Sequence, residues 1–221
     1  MPTAAQALRH RRDRDDLIDI AFADIGALFR QFDTAAALRE ALMDLLPQLY
    51  EIYGAAVATL SADWYDDMRE ADGVRGGFTA IPVELRPDAG TDELTRWGLG
   101  PMFQAVPDKV AARSLVEGGL QRRIADVSRE TIMLSSVEDP SATGWQRVGE
   151  GGCTSGFCDM LIGRGAVYTE ADADFASHDH CRCSAVPAWG GEPKPVRGYT
   201  PSQRNVTDAD RARVREYLRT N

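Results

Sequence analysis

All four cysteines of the chain, Cys153, Cys158, Cys181 and Cys183, lie between Gly152 and Trp189, and the last two close the run His178-Asp179-His180-Cys181-Arg182-Cys183. Cysteine thiolate and neutral imidazole suit Zn(II), which takes four tetrahedral ligands in structural sites. Cys181 and Cys183 form a Cys-x-Cys chelate, and Cys153 and Cys158 are near enough in sequence to close a second loop. The candidate metal set is Cys153, Cys158, Cys181, Cys183 and His178, with His180 as an alternative ligand. Disulfides formed outside the cell and buried free thiols are the two other readings of the same cysteines. A competing class is an enzyme, a zinc hydrolase or thiol enzyme built on His178, Cys181 and Cys183, with Asp159 or Asp179 nearby as a base. The chain has no His-Glu-x-x-His, no Walker loop and no Gly-x-Gly-x-x-Gly, so a non-enzymatic reading is preferred.

The elements that must position this cluster follow from periodicity. Leu17, Ala21, Ile25, Leu28 and Phe32 recur at spacings of three and four and predict a helix over residues 4–32. Before them, Arg9 to Asp16 is a dense charge run, expected to lie outside the core. Asp33-Thr34 is a cap pair for a second helix whose stripe is Leu38, Leu42, Leu45, Leu49, Ile52, Ala56, Leu60, Trp64 and Met68. Pro47 should kink or break that helix. Phe78 to Leu85 reads as an edge strand because of Pro82, and residues 108–137 as a helix that Gly118-Gly119 weakens. Asp159 to Tyr168 reads as a short helix, a glycine turn and a strand, and Ser184 to Trp189 as extended.

The expected fold class is α+β: a long N-terminal helical hairpin arm (1–72), then a small mixed domain with the Cys/His-rich knot (73–189). A basic linker and short C-terminal helix (190–221) follow. The Pro47 end of the arm is expected to project and to offer Leu42, Leu46 and Tyr50 to a partner.

At 43% hydrophobic and 27% charged, 221 residues suffice for one good core, and no apolar run reaches the length of a membrane helix. The N-terminus lacks a signal-peptide apolar stretch, which predicts synthesis in a reducing cytoplasm. The net charge of −9 is uneven, since the last 38 residues carry seven Lys and Arg against four Asp and Glu. An acidic body disfavours broad nucleic-acid binding, but Lys194, Arg197, Arg204, Arg211, Arg213, Arg215 and Arg219 could contact packaged DNA or an acidic protein.

Four blocks of the sequence carry a family resemblance. Tyr53-Gly54 through Ala62-Asp63-Trp64-Tyr65-Asp66 to Arg69 resembles a helix of the phage Mu F-like (MuF) minor head proteins of actinobacteriophages. Asp139-Pro140 to Val148 is similar to a second block of that family. Cys158-Asp159-Met160-Leu161 to Tyr168 resembles a third, and His178-Asp179-His180-Cys181-Arg182-Cys183 with Pro187 its closing signature. The family more often has Cys-x-x-Cys in the third block; Ser155 stands at that position here and the cysteine is Cys153. His178, not His180, falls on the family's histidine. The resemblance implies a minor capsid protein of a tailed phage, in the virion head at the portal vertex, acting in head assembly or in DNA packaging or ejection. Its implied partners are the portal protein and the major capsid or scaffolding protein, with no membrane contact.

Overall fold

A computed structural model describes residues 1–87, 89–149, 156–166, 168–169, 175, 177–190 and 212. Their elements are α1 (Ala4–Gln31), α2 (Ala35–Ala71), α3 (Thr91–Gly98), a 3-10 turn (Gly100–Phe103), α4 (Lys109–Glu138), β1 (Gly144–Val148), α5 (Gly156–Ile162) and β2 (Ser184–Ala188). The fold is α+β, with long N-terminal helices and a two-stranded antiparallel sheet. No helix among the described residues is long and apolar enough to cross a membrane.

Local chemistry accounts for the ends of the helices. Thr3 begins α1 with a capping box, its hydroxyl accepting from the Gln6 amide while the Gln6 side chain accepts from the Thr3 amide. Thr34 caps α2 by accepting from the Ala37 amide, and Asp108 caps α4 by accepting from Ala111. α2 runs through Pro47 without a break. α4 likewise runs through Gly118-Gly119, and the glycines serve packing instead. A Cβ on Gly119 would lie 2.3 Å from Leu94 Cδ1, so its absence lets α3 approach closely. Residues 78–85 do not pair as a strand: the Ala80 amide donates to the Asp66 carboxylate and the Val83 amide to the Thr131 hydroxyl. In the sheet, Trp145 faces Pro187, while the Trp145 amide donates to the Tyr168 carbonyl on the other side. Pro187, which has no amide to donate, is therefore tolerated there.

α4 is the centre of the molecule, contacting α1, α2, α3 and both strands. Its buried residues run almost all round the helix, from Ala112 and Val116 through Leu120, Ile124 and Arg129 to Ile132 and Ser136. One apolar cluster joins α1, α2, α3 and α4 around Ile25, Leu38, Leu46, Leu99 and Leu120. A second lies at the cysteine end, around Tyr65, Ile132, Trp145, Cys158, Cys181 and Val186. Both draw on residues either side of position 72, so α1 and α2 do not project.

This overturns the expected partner surface. Leu42 and Leu46 are 0% exposed and Tyr50 is 8% exposed, all in the first cluster. The reason is that α2 is covered on two sides, by α1 and by α4, so its Leu38-Leu42-Leu46 and Leu49-Tyr50 positions are enclosed while Ile52 turns to solvent. The apolar side chains left exposed include Trp97, Phe103, Val106 and Val110.

The charge run of α1 is also partly interior. His10 and Arg14 continue the stripe Ala7-His10-Arg14-Ile18-Ala21-Ile25-Phe29 and are buried. The His10 ring stacks on Trp64 at 4.5 Å, and its Nε2 lies 3.2 Å from the Ser128 hydroxyl, which also accepts from Ser61. Burial, together with the nearby Arg14 charge, lowers the His10 pKa to about 3. The unfolded chain thus binds a proton near pH 6.5 that the folded chain refuses. Stability from this residue is complete above pH 6.5 and is lost as pH falls toward about 3, at roughly 1.4 kcal/mol per pH unit. Urea titrations from pH 7 to 4.5 should show this slope, and His10→Gln should remove most of it; an unchanged slope in the variant would refute the assignment.

Candidate metal centre

The cysteine end is built by tying backbone to buried arginines. Arg129 of α4 donates through Nε and Nη2 to the Cys183 carbonyl and through Nη2 to that of Cys181. Gln121, two turns earlier, donates to the same Cys181 carbonyl at 2.8 Å. From α1, Arg14 donates to the Ser184 hydroxyl at 3.2 Å and to the Arg182 carbonyl at 3.4 Å. Asp126 pairs with Arg129 and accepts from the Ser177 hydroxyl, which fixes the residue before His178. The loop 177–184 is thereby held on α4 before any ligand chemistry is considered.

On this frame, Cys158, His178 and Cys181 bring one donor atom each within 4.8 Å of one another. Cys158 comes from α5 and the other two from the loop before β2. Cys158 Sγ lies 3.4 Å from His178 Nε2, while His178 Nδ1 lies 2.8 Å from the Asp179 carbonyl. A carbonyl can only accept, so Nδ1 carries the proton and Nε2 presents its lone pair toward the sulfurs. A carbonyl on the far ring nitrogen fixes the orientation of a metal-binding imidazole in this way. The group could hold a metal ion.

Cys183 is buried beside the three but is not one of them. Its thiol hydrogen-bonds to Cys181. That bond is the largest cause of a Cys181 pKa lowered to about 4; burial opposes the shift, and Arg129 and Arg147 assist it. The same bond, with burial, pushes the Cys183 thiol up. None of the three described cysteines forms a disulfide. His180, the alternative ligand, is placed elsewhere: its backbone has φ 61°, and its exposed ring lies over Gly118 of α4, where a Cβ would meet it at 2.4 Å. Cys153 and the tail residues Lys194, Arg197, Arg204, Arg211, Arg213, Arg215 and Arg219 lie outside the described residues.

Sequence reading missed the arginines. Arg147 of β1 is 2% exposed and places Nη2 at 3.3 Å from Cys181 Sγ and 3.6 Å from Cys158 Sγ. Its guanidinium lies 4.2 Å from the Phe175 ring centroid, and that of Arg129 lies 4.7 Å from the same ring. The only signal for Arg147 was its place in the second block, Trp145-Gln146-Arg147-Val148.

A second polar knot lies along the same face. Arg69 pairs with the buried Asp139 carboxylate at 2.9 Å and donates to the Arg75 and Gly76 carbonyls. Tyr65, Trp189 and the Ser141 amide complete the bonds to Asp139.

No curated protein and no solved structure matches the chain. A family model described as VG15 protein matches residues 1–206. The chain belongs to the VG15 protein family, a family of phage proteins.

Proposed function

We propose that the protein is a MuF-like minor capsid protein of a tailed phage, located in the virion head at the portal vertex and working without catalysis. The observation that carries this reading is that the four sequence blocks of the resemblance meet in space. Tyr65 and Arg69 of the first bond Asp139 of the second. Trp145 and Arg147 of the second stack on Tyr168 and bond Cys158 of the third and Cys181 of the fourth. The blocks therefore supply interior links of one scaffold. Cys158 and Cys181 are both 0% exposed, which favours a structural role over a nucleophile that must meet a substrate. The partners are the portal protein and the major capsid or scaffolding protein, with DNA contact by the basic tail as a subsidiary role. A localised reconstruction of the portal vertex without imposed symmetry should place this fold there. Virions whose portal vertex lacks it, with the protein absent from purified heads by mass spectrometry, would refute the proposal.

The metal in this reading is zinc, bound by Cys158, His178 and Cys181. Two sulfurs and an imidazole with its second nitrogen already committed to a carbonyl form a suitable donor set, and the ion would cross-link α5 to the loop before β2. Elemental analysis of protein expressed in cytoplasm should find about one zinc per chain, and Cys181→Ser should reduce it at least tenfold. Full zinc occupancy in Cys181→Ser would show that the ion sits elsewhere.

A further inference from the structure

Two donors of the metal centre, His178 and Cys181, are the first and last residues of one tight turn, closed by the Cys181 amide donating to the His178 carbonyl at 2.9 Å. Its third residue, His180, has φ 61°, and no other non-glycine residue among the described residues has a positive φ. A positive φ at the third place separates a type II turn from the commoner type I, and the two differ by a flip of the central peptide. Here that peptide is Asp179–His180, and its oxygen, the Asp179 carbonyl, is the acceptor 2.8 Å from His178 Nδ1. The backbone of His180 thus decides whether the imidazole keeps its far-side bond. The turn is pinned on both sides of this peptide, by Ser177 on Asp126 and by Gln121 and Arg129 on the Cys181 carbonyl. The flip is the freedom that remains. Glycine takes this φ without cost, whereas a side chain makes it unfavourable. The His180 ring offsets that by packing on α4, in space that exists because residue 118 has no side chain. The three atoms nearest a Cβ built there are Nε2, Cε1 and Cδ2 of His180, at 2.4, 2.7 and 2.8 Å.

We propose that Gly118 and His180 are positioning residues of the metal centre: Gly118 makes room for the His180 ring, and the ring, seated on α4, keeps the Asp179–His180 peptide in the orientation that locks the His178 imidazole for binding. This rests on the zinc reading above. In Gly118→Ala the ring must swing off the helix into solvent, and His180 then relaxes to a negative φ. The Asp179 carbonyl turns away and the imidazole is free to rotate. His180→Ala has the same consequence by removing the ring. His180→Gly removes the ring and the need for it together.

The test uses the full chain, with zinc alone as the probe. Gly118→Ala and His180→Ala should each weaken zinc binding about tenfold or more in competition with a chromophoric chelator, the usual cost of losing the bond that orients a ligand imidazole. His180→Gly should stay within about threefold of wild type, and Gly118→Ala should add nothing in that background. Alanine is the better helix former, so Gly118→Ala should not lower the melting temperature of the metal-free protein, which separates lost positioning from lost stability. His180 is exposed, so its two variants decide the matter should Gly118→Ala fail to fold. NMR of the imidazole nitrogens in metal-free protein at about pH 8 gives a readout without zinc, with three histidines in the chain to assign. His178 should carry its proton on Nδ1 in wild type and His180→Gly, and shift toward Nε2 in His180→Ala. Wild-type zinc affinity in Gly118→Ala or His180→Ala, or a loss from Gly118→Ala that persists in the His180→Gly background, would overturn the proposal. Zinc lost from His180→Gly would overturn it too, by making the ring itself a ligand. Wild type that takes up no zinc yet shows this tautomer pattern would refute the zinc reading while leaving Gly118 and His180 coupled to His178.

Discussion

Leu46→Asp is expected to leave no folded protein to study, and Leu42→Asp the same. Both side chains are 0% exposed in the cluster shared by α1, α2 and α4. Losing the leucine packing costs about 2–5 kcal/mol, and burying a carboxylate with no partner adds several more. The sum approaches the whole stability of an ordinary domain, about 5–15 kcal/mol. Soluble yield and thermal melting read the result directly. Ile52→Asp, one or two turns further along the same helix but 61% exposed, should stay within about 0.5 kcal/mol of wild type. A soluble Leu46→Asp with wild-type melting would mean that α2 does not pack as described. The consequence for function is practical: failed incorporation of these variants into heads would report unfolding, not a lost docking surface.

Arg69→Ala should cost about 3–5 kcal/mol, because it leaves the Asp139 carboxylate buried and unpaired. In a chain of 221 residues that is a fall in melting temperature of roughly 6–20 °C. The pH dependence gives a second signature. Burial by itself would raise the Asp139 pKa, but the bonds from Arg69, the Ser141 amide and Trp189, with the Arg69 charge, outweigh it and hold the pKa below its ordinary value. The pair therefore stabilises fully above the ordinary carboxylate range, and the effect is lost as pH falls through the depressed value. In Arg69→Ala only the Ser141 and Trp189 bonds still oppose burial, so acidification from pH 6 to 4 should cost the variant less than it costs wild type. A variant within 1 kcal/mol of wild type at pH 7 would refute the buried pair as a stabilising link.

The helices were readable because spacing at three and four is a local property. α1, α2 and α4 appear nearly where the apolar stripes and the Thr34 cap put them. Which face is buried was less readable wherever a helix is covered twice. α2 carries Leu45 and Ile52 on one row and Leu46 and Val57 on another, and only the position of α4 decides between them. His10 and Arg14 were hidden inside a charge run, because what makes their burial tolerable is far away: Ser128 for one, Ser184 for the other. Of the candidate metal centre, cysteine spacing identified Cys158, His178 and Cys181. It could not separate them from Cys183 and His180, since both members of a Cys-x-Cys pair can chelate, whereas here only Cys181 stands with Cys158 and His178. Arg147 has no spacing signal, as nothing local distinguishes a buried arginine from a solvated one.

The Arg14 bond to Ser184 spans 170 residues and is made by the first helix of the chain. On a ribosome adding about 5–20 residues per second, Arg14 emerges roughly 10–30 s before its partner is made. During that time α1 can form as an isolated helix, but its guanidinium has no carbonyl or hydroxyl from residues 182–184 to replace water. Seating of Arg14 is thus a late event of biosynthesis, whereas the apolar residues of α1 can pack on α2 and α4 once residue 138 is made, so a chain stalled or cleaved before residue 182 would hold a packed helix around an unsatisfied interior cation.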